Sequence, residues 1–377
     1  MASLRKITKS FFILLNIVIA FLFLLTCCNA FLHPDKWWFI SLLAFIFPLF
    51  LLLLLGFFFF WLFLSRRWSL ISLFTLLIGW QNIHAFFGMS LAKKDFTTKK
   101  TNAIRVMTWN IRRWDEFITK KTGASGHRRR MFDLVSKQNA DFLCFQEFYE
   151  PDDSSRSNIR YIRDSLHFPY YYFSRDFHNK LFKYETGVII FSKYPIIRQS
   201  RQSFGSFSMD NPESLIETDV LAQGKRIRLC TVHLQSVLFK SKDFRDVEII
   251  RNAEDSILQA SRSLAKKLKY ALSLRGYQAD TVRRHLDASP YPVILCGDFN
   301  DVPNSYTYFH IKGDRQDAFI AKSFGIGRTY INISPTLRID YIFPGKRFNV
   351  LQATVIQSPF SDHRPVIADL QLQDEKR

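Results

Sequence analysis

A chain of 377 residues has room for one large domain or two small ones. Ten Lys/Arg against two Asp/Glu place +8 of its formal charge of +19 in residues 1–100, leaving +11 for residues 101–377. That balance favours anionic partners such as phosphodiesters, phosphorylated lipids or a membrane surface. The five Cys do not form the pattern of a disulfide framework: Cys27 and Cys28 sit in an apolar run, and Cys144, Cys230 and Cys296 each fall inside a predicted buried strand, where Cys acts as a small hydrophobe.

The first hundred residues stand apart. Residues 11–30 are almost unbroken apolar sequence and 37–64 are longer and uncharged, each enough for the ~18–20 residues that cross a bilayer as a helix. A third run, 68–88, is interrupted by Gln81, Asn82 and His84; polar groups inside a span face other helices, so it counts as a third span. The further runs favour a retained anchor over a cleaved signal peptide. The basic residues flanking the spans divide five against five between the two sides. The first helix usually sets orientation and large domains cross regardless of charge, which favours an extracytoplasmic domain behind a multi-pass anchor. The expected organisation is therefore a membrane region over 1–92, a Lys/Thr-rich linker over 93–103 and a domain over 104–377.

From residue 104 onward strands and helices alternate. Strands are predicted at 104–110, 141–147, 170–173, 187–191, 214–220 and 226–234, the last two as an antiparallel pair across Gln223-Gly224. Helical spacing is read at 128–137, 244–274 and 278–287. The central run 292–301 ends abruptly in Gly297, Asp298 and Asn300, and further strands follow at 338–343, 350–356 and 366–372. No internal repeat stands out.

A buried strand that ends in polar groups delivers them to the rim of a sheet, where loops build a site. Asp298 and Asn300 lie two residues apart and point the same way: one can orient or deprotonate a water while the other donates to an oxyanion. Asn110, Glu147, His233 and Asp340 also lie at or near strand ends, and Asp362-His363 directly precede the last strand. Singly, each has an ordinary explanation as a turn residue, a rim charge, a core histidine or a cap. Jointly they fall where apolar strands start or stop.

Trp-Asn-Ile-Arg at 109–112, Gln-Glu at 146–147, Thr-Gly-Val-Ile-Ile-Phe-Ser-Lys-Tyr-Pro at 186–195, Thr-Val-His-Leu at 231–234, Gly-Asp-Phe-Asn-Asp at 297–301, Ile-Asp-Tyr-Ile at 339–342 and Ser-Asp-His-Arg-Pro-Val at 361–366 together resemble the endonuclease/exonuclease/phosphatase superfamily, in order across 104–372. The resemblance implies an α/β (α+β) fold, a four-layered sandwich of two mixed β-sheets flanked by helices, here preceded by the transmembrane region. It implies Glu147 as principal ligand of Mg²⁺ or Mn²⁺, with Asn110 and Asp362 nearby, oxygen donors that suit those ions. Asp298 would handle the attacking water, held by Asn300. His363 would stabilise the scissile phosphate with Asp340 fixing its tautomer, and His233 would be a second phosphate contact or a proton donor to the leaving oxygen. Arg112 replaces the acidic or amide-rich pattern of the abasic-site nucleases. It is more similar to the secreted deoxyribonuclease branch, where that Arg reaches a phosphate, although the stabilising disulfide of that branch has no counterpart here.

The expected function is a membrane-anchored, metal-dependent hydrolase of phosphoric esters. Its partners would be a nucleic-acid or phospholipid head-group substrate and the lipid bilayer, with no protein partner. Two other classes are a catalytically silent binding module for an anionic ligand and a membrane scaffold. The presence of every catalytic block argues against the first, and a fragment over 101–377 that retains hydrolysis would exclude the second.

Overall fold

The computed structural model describes residues 2–90, 96, 98–116, 127–204, 213–237 and 257–374. Two compact units emerge: one from Met1–Phe87, Ser236–Ala279 and Val302–His310, the other from Gly88–Gln235, Asp280–Asp301 and Ile311–Arg377.

In the first unit, the helix Ala2–Cys27 is followed by a broken one, Pro34–Ser41, Leu42–Ile46 and Phe47–Leu64. Leu4–Ala30 and Pro34–Leu64 are both long and apolar enough to cross a membrane. The third predicted span is one bent pair, Arg66–Ile78 and Trp80–Phe86, at 64°. The bend falls at Gly79, where a Cβ would lie 2.3 Å from the Phe23 ring. Outward positions carry bare apolar side chains such as Phe11, Phe21 and Phe63. Some polar groups turn inward, as where Ser72 Oγ donates to Asn16 Oδ1 at 2.9 Å, the arrangement a hydrocarbon solvent demands. Of Gln81, Asn82 and His84 in the bent pair, Asn82 is buried, whereas Gln81 and His84 are exposed and do not face other helices as expected.

The expected helices 244–274 and 278–287 are one helix across the described residues, Ile257–Asp287, and 244–256 lie outside them. Gly276 does not interrupt it. A Cβ there would lie 2.7–2.8 Å from Pro34 and His33, so the glycine admits the loop between the first two apolar helices. Ser273 and Tyr277 then donate to the two Asp35 carboxylate oxygens at 2.5 and 2.9 Å.

The second unit holds two large sheets and a two-stranded pairing of Gly88–Met89 with Phe324–Gly325. The first runs, in spatial order, Phe348–Val355, Val366–Leu372, Ile104–Asn110, Phe142–Pro151, Tyr184–Ser192 and Tyr170–Phe173, with Phe177–Asn179 also on Tyr184–Ser192. The second runs Asp340–Pro344, Val293–Asp298, Lys225–His233, Ser214–Ala222 and Ile196–Ser203. Each is mixed, with one parallel pair: Ile104–Asn110 beside Phe142–Pro151, and Lys225–His233 beside Val293–Asp298.

Strand alternation explains the layering. Ile104, Val106, Cys144 and Ile190 face Ile216, Leu229, Ile294 and Ile342 in one core between the sheets. Met107, Trp109, Leu143 and Phe145 turn the other way, onto Met131, Phe132 and Val135 of helix Arg128–Lys137 and Ile159 and Ile162 of helix Asn158–Ser165. Residues Asp280–Asp287 cover the far face of the second sheet, where His285 Nδ1 meets Glu217 Oε2 at 3.0 Å. The result is the expected four-layered sandwich. The buried Arg105 is neutralised by Asp369, at 2.6 and 2.9 Å. The expected hairpin turns through Gln223 and Gly224, both at positive φ (50° and 76°), the left-handed pair that matches strand twist.

Cys144, Cys230 and Cys296 are buried and free, and burial pushes the thiols of Cys144 and Cys230 well above their ordinary value. All three should resist alkylation in the native protein while Cys28, exposed, reacts. Ser at any of the three should cost about 1–3 kcal/mol of stability by burying a hydroxyl. Rapid native labelling of the three, read by mass spectrometry, would contradict this.

Candidate active site

Parallel strands that end together meet the antiparallel strands that begin at the same rim. In the second sheet the last residue of Val293–Asp298 pairs with His233 on one side and Asp340, the first residue of its strand, on the other. Gly297 makes this approach possible: its φ is +142° and a Cβ would lie 2.1 Å from the Val232 carbonyl oxygen, so no other residue fits. In the first sheet Asn110 ends its strand beside Gln146, and Val366, three residues after His363, pairs with Thr108.

Glu147 departs from expectation. Its strand runs on to Pro151, and Glu147 occupies a register shift between Phe145 and Phe148 with φ at +49°. A β-bulge re-aims one side chain in mid-strand, and here it turns a carboxylate towards the rim. Asn300, at φ +52°, is similarly held: its N–H donates to Asp298 Oδ1 at 2.8 Å and its Nδ2 to the Leu234 carbonyl at 2.9 Å. Backbone strain of this kind gathers at functional sites.

The two sheets join through these groups. Asn110 Nδ2 donates to Asp298 Oδ2 at 3.0 Å and to Glu147 Oε1 at 3.2 Å. His363 Nδ1 lies 3.0 and 3.2 Å from the two Asp340 oxygens, and its Nε2 lies 3.7 Å from Asp298 Oδ2. His233 Nε2 approaches the same oxygen at 3.8 Å and is buried with no hydrogen-bond partner among the described residues. Arg112, 43 % exposed, points Nε to Asp362 Oδ2 at 3.5 Å, while its N–H donates to Asn110 Oδ1 at 3.0 Å. Arg112–Asp115 form a left-handed turn, all four at φ between 46° and 60°.

Electrostatics follow from four carboxylates gathered at one rim. Burial pushes Asp298 up, with Asp340 adding to it. Burial also raises Asp362, and the Glu147 charge raises it further. Burial acts on Glu147 too, but His233, Arg113 and the Asn110 hydrogen bond outweigh it and hold that carboxyl low. Burial disfavours a charged His363, yet Asp340 and Asp298 push it up to about 10. The rim thus crowds four carboxylates together, opposed by His363, by Arg112 beside Asp362 and by Arg113 near Glu147.

A divalent cation fits that crowding of carboxylates. Asp298, Asp340 and His363 bring ligand-type atoms within 4.8 Å of one another, but both Asp340 oxygens already face the His363 ring. The hard oxygens of Glu147 and Asp362 repel each other, and a cation would relieve that repulsion. Asn110 Oδ1 is engaged by the Arg112 N–H in this arrangement.

Several positioning residues receive no role from the sequence. Thr329 Oγ1 accepts from the N–H groups of Ile339 and Asp340 at 2.9 and 3.2 Å, setting the start of that strand. The Tyr330 ring meets His363 edge-on at 5.0 Å. Gln146 Nε2 ties Thr108 to Thr231, at 3.2 and 2.8 Å, beneath the site. Ser361, inside a quoted motif, donates to the Asn110 carbonyl at 2.9 Å and accepts from the His363 N–H.

Two mixed sheets, flanked by helices and meeting at a rim of Asp, His, Glu and Asn, define a recognisable class. Residues 107–363 match the model of the endonuclease/exonuclease/phosphatase family, and the chain belongs to that family. Residues 9–86 match a family described as a domain of unknown function (DUF8431). An endonuclease/exonuclease/phosphatase from Beutenbergia cavernae is 17 % identical with a TM-score of 0.50, covering 72 % of each chain. A family protein from Leptotrichia buccalis is 16 % identical at 0.50, covering 72 % of this chain and all of that one. These likenesses show the fold. No curated protein matches the sequence.

Proposed function

We propose that the chain is a membrane-anchored, divalent-metal-dependent phosphoesterase that hydrolyses phosphodiester or phosphomonoester bonds with an activated water. The observation that carries the reading is the Asp340–His363–Asp298 series, set beside Asn110 and Glu147. Asp298, raised by burial and fixed by the Asn300 N–H, accepts a proton from the water and directs it at phosphorus. His363 is cationic, its Nδ1–H committed to Asp340, so Nε2–H meets the charge that grows on the phosphoryl oxygens. His233 offers its unpartnered Nε2 to a second oxygen or to the leaving group, and the half-exposed Arg112 is free to swing from Asp362 to a substrate phosphate. Mg²⁺ or Mn²⁺ on Glu147 and Asp362, with Asn110 nearby, would neutralise charge on the phosphate and its leaving oxygen. A silent binding module has no use for the His363–Asp340 pairing, which orients a proton donor.

The same reading assigns 1–92 to a membrane anchor of three spans, 93–103 to a linker and 104–377 to the catalytic domain on the extracytoplasmic side. The test is a hydrolysis panel with the full chain in detergent: DNA, RNA, sphingomyelin, phosphoinositides and a generic phosphodiester. Turnover of at least one supports the enzyme, and turnover of none removes it. Topology is separable: an alkaline-phosphatase fusion after Arg377 should be active, and a silent fusion beside a working cytoplasmic reporter would reverse the orientation.

A further inference from the structure

A cavity of about 610 Å³ opens between helices Arg128–Lys137 and Asn158–Ser165. None of the candidate catalytic or metal residues lines it. Four Arg do: the half-buried Arg128 and the exposed Arg129, Arg156 and Arg160. Arg156 pairs with Glu116 at 3.5 Å, while no carboxylate among the described residues forms an ion pair with the other three. The one acid in the lining, Asp164, is held by Arg163 at 2.7 and 3.1 Å and also feels the charge of Arg160, and the Arg128 charge reaches Glu150. The cavity therefore holds excess positive charge.

It is also built in advance of any ligand. Arg128 Nε donates to Asn158 Oδ1 at 2.7 Å and Nη2 to the Arg156 carbonyl at 2.8 Å, and its guanidinium lies over the Phe132 ring at 5.5 Å. Phe132 packs on Tyr161 with ring centroids 4.3 Å apart, giving the lining an apolar portion. Glu150, three residues beyond Glu147, accepts from the Asn158 and Ile159 N–H groups at 3.0 Å and anchors the second helix to the strand below.

We propose that this cavity binds a compact, multiply phosphorylated molecule or head group, separately from the hydrolytic site. The guanidinium fork matches phosphate oxygens in pairs. The volume is that of a small-molecule pocket, roughly 300–1,000 Å³, and far exceeds a single phosphate. Four Arg around one cavity suit a compact polyanion, whereas an extended nucleic-acid strand calls for a basic stripe.

The test is calorimetric titration of the full chain in lipid nanodiscs with inositol hexakisphosphate, alongside phosphoinositide-containing vesicles. One saturable site is expected. Because each lost charge-assisted contact costs on the order of tenfold, Arg129→Gln with Arg160→Gln should weaken binding about 10²-fold and the double Glu variant more. The unfolding temperature and hydrolysis of a generic phosphodiester should stay unchanged, and His363→Ala should bind as the parent does. Preference for the soluble probe would assign a free metabolite, and preference for the vesicles a lipid head group. Equal affinity in the parent and the Gln variant, binding lost with His363→Ala, or a single-stranded oligonucleotide that binds more tightly with the same Arg dependence would each overturn the proposal.

Discussion

Asp298→Asn and His363→Ala should each lower kcat about 10²–10³-fold while leaving KM nearly unchanged, the usual cost of one lost transition-state contact. On the proposed mechanism both act on a single step, and Asp298 Oδ2 lies 3.7 Å from His363 Nε2, so the double variant should fall well short of the product of the two losses. Asp340 is proposed to act through the ring of His363, which both its oxygens face, so Asp340→Asn should show a smaller loss, by letting the imidazole turn. That loss should largely disappear once His363 is Ala. Steady-state kinetics on the substrate found in the panel decide the matter. If Asp340→Asn stays equally damaging in the His363→Ala background, the pairing seen at 3.0 Å has no part in turnover.

Removing divalent metal should abolish hydrolysis outright, with Mg²⁺ or Mn²⁺ restoring it. The physical reason is the crowd of buried carboxylates at the rim, in which Glu147 and burial together raise Asp362. Glu147→Gln keeps the shape and removes a hard anionic donor. It should weaken Mn²⁺ binding on the order of 10²-fold or more, given that even outer-shell partners of a ligand contribute 10–100-fold. Glu147 sits half-buried on a bulge outside the packed core, so the unfolding temperature should hardly change. Titration of Mn²⁺ into the metal-free protein reads the binding without relying on activity. Full turnover in a chelator-stripped sample would sink the metal role altogether.

Local pattern alone determined much of this protein. Alternation and apolar runs placed the strands that carry Asn110, His233 and Asp298, because a strand buried on both faces must read as continuous apolar sequence until it reaches the rim. The apolar runs before residue 90 declared their length directly. Elements whose signal is weak escaped: strand Ile196–Ser203 is exposed and polar along most of its length, and helix Asn158–Ser165 spans only eight residues. Gly276 lies inside a continuous helix because the loop at His33 packs against it, a contact from 243 residues away that no local window contains. The same holds at the site. That Asp340 rather than a nearer acid holds His363, that Asn110 bridges Glu147 to Asp298 across two sheets, and that Glu147 turns to the rim on a bulge are decisions of long-range packing. Only the tertiary fold brings those backbones within hydrogen-bond reach.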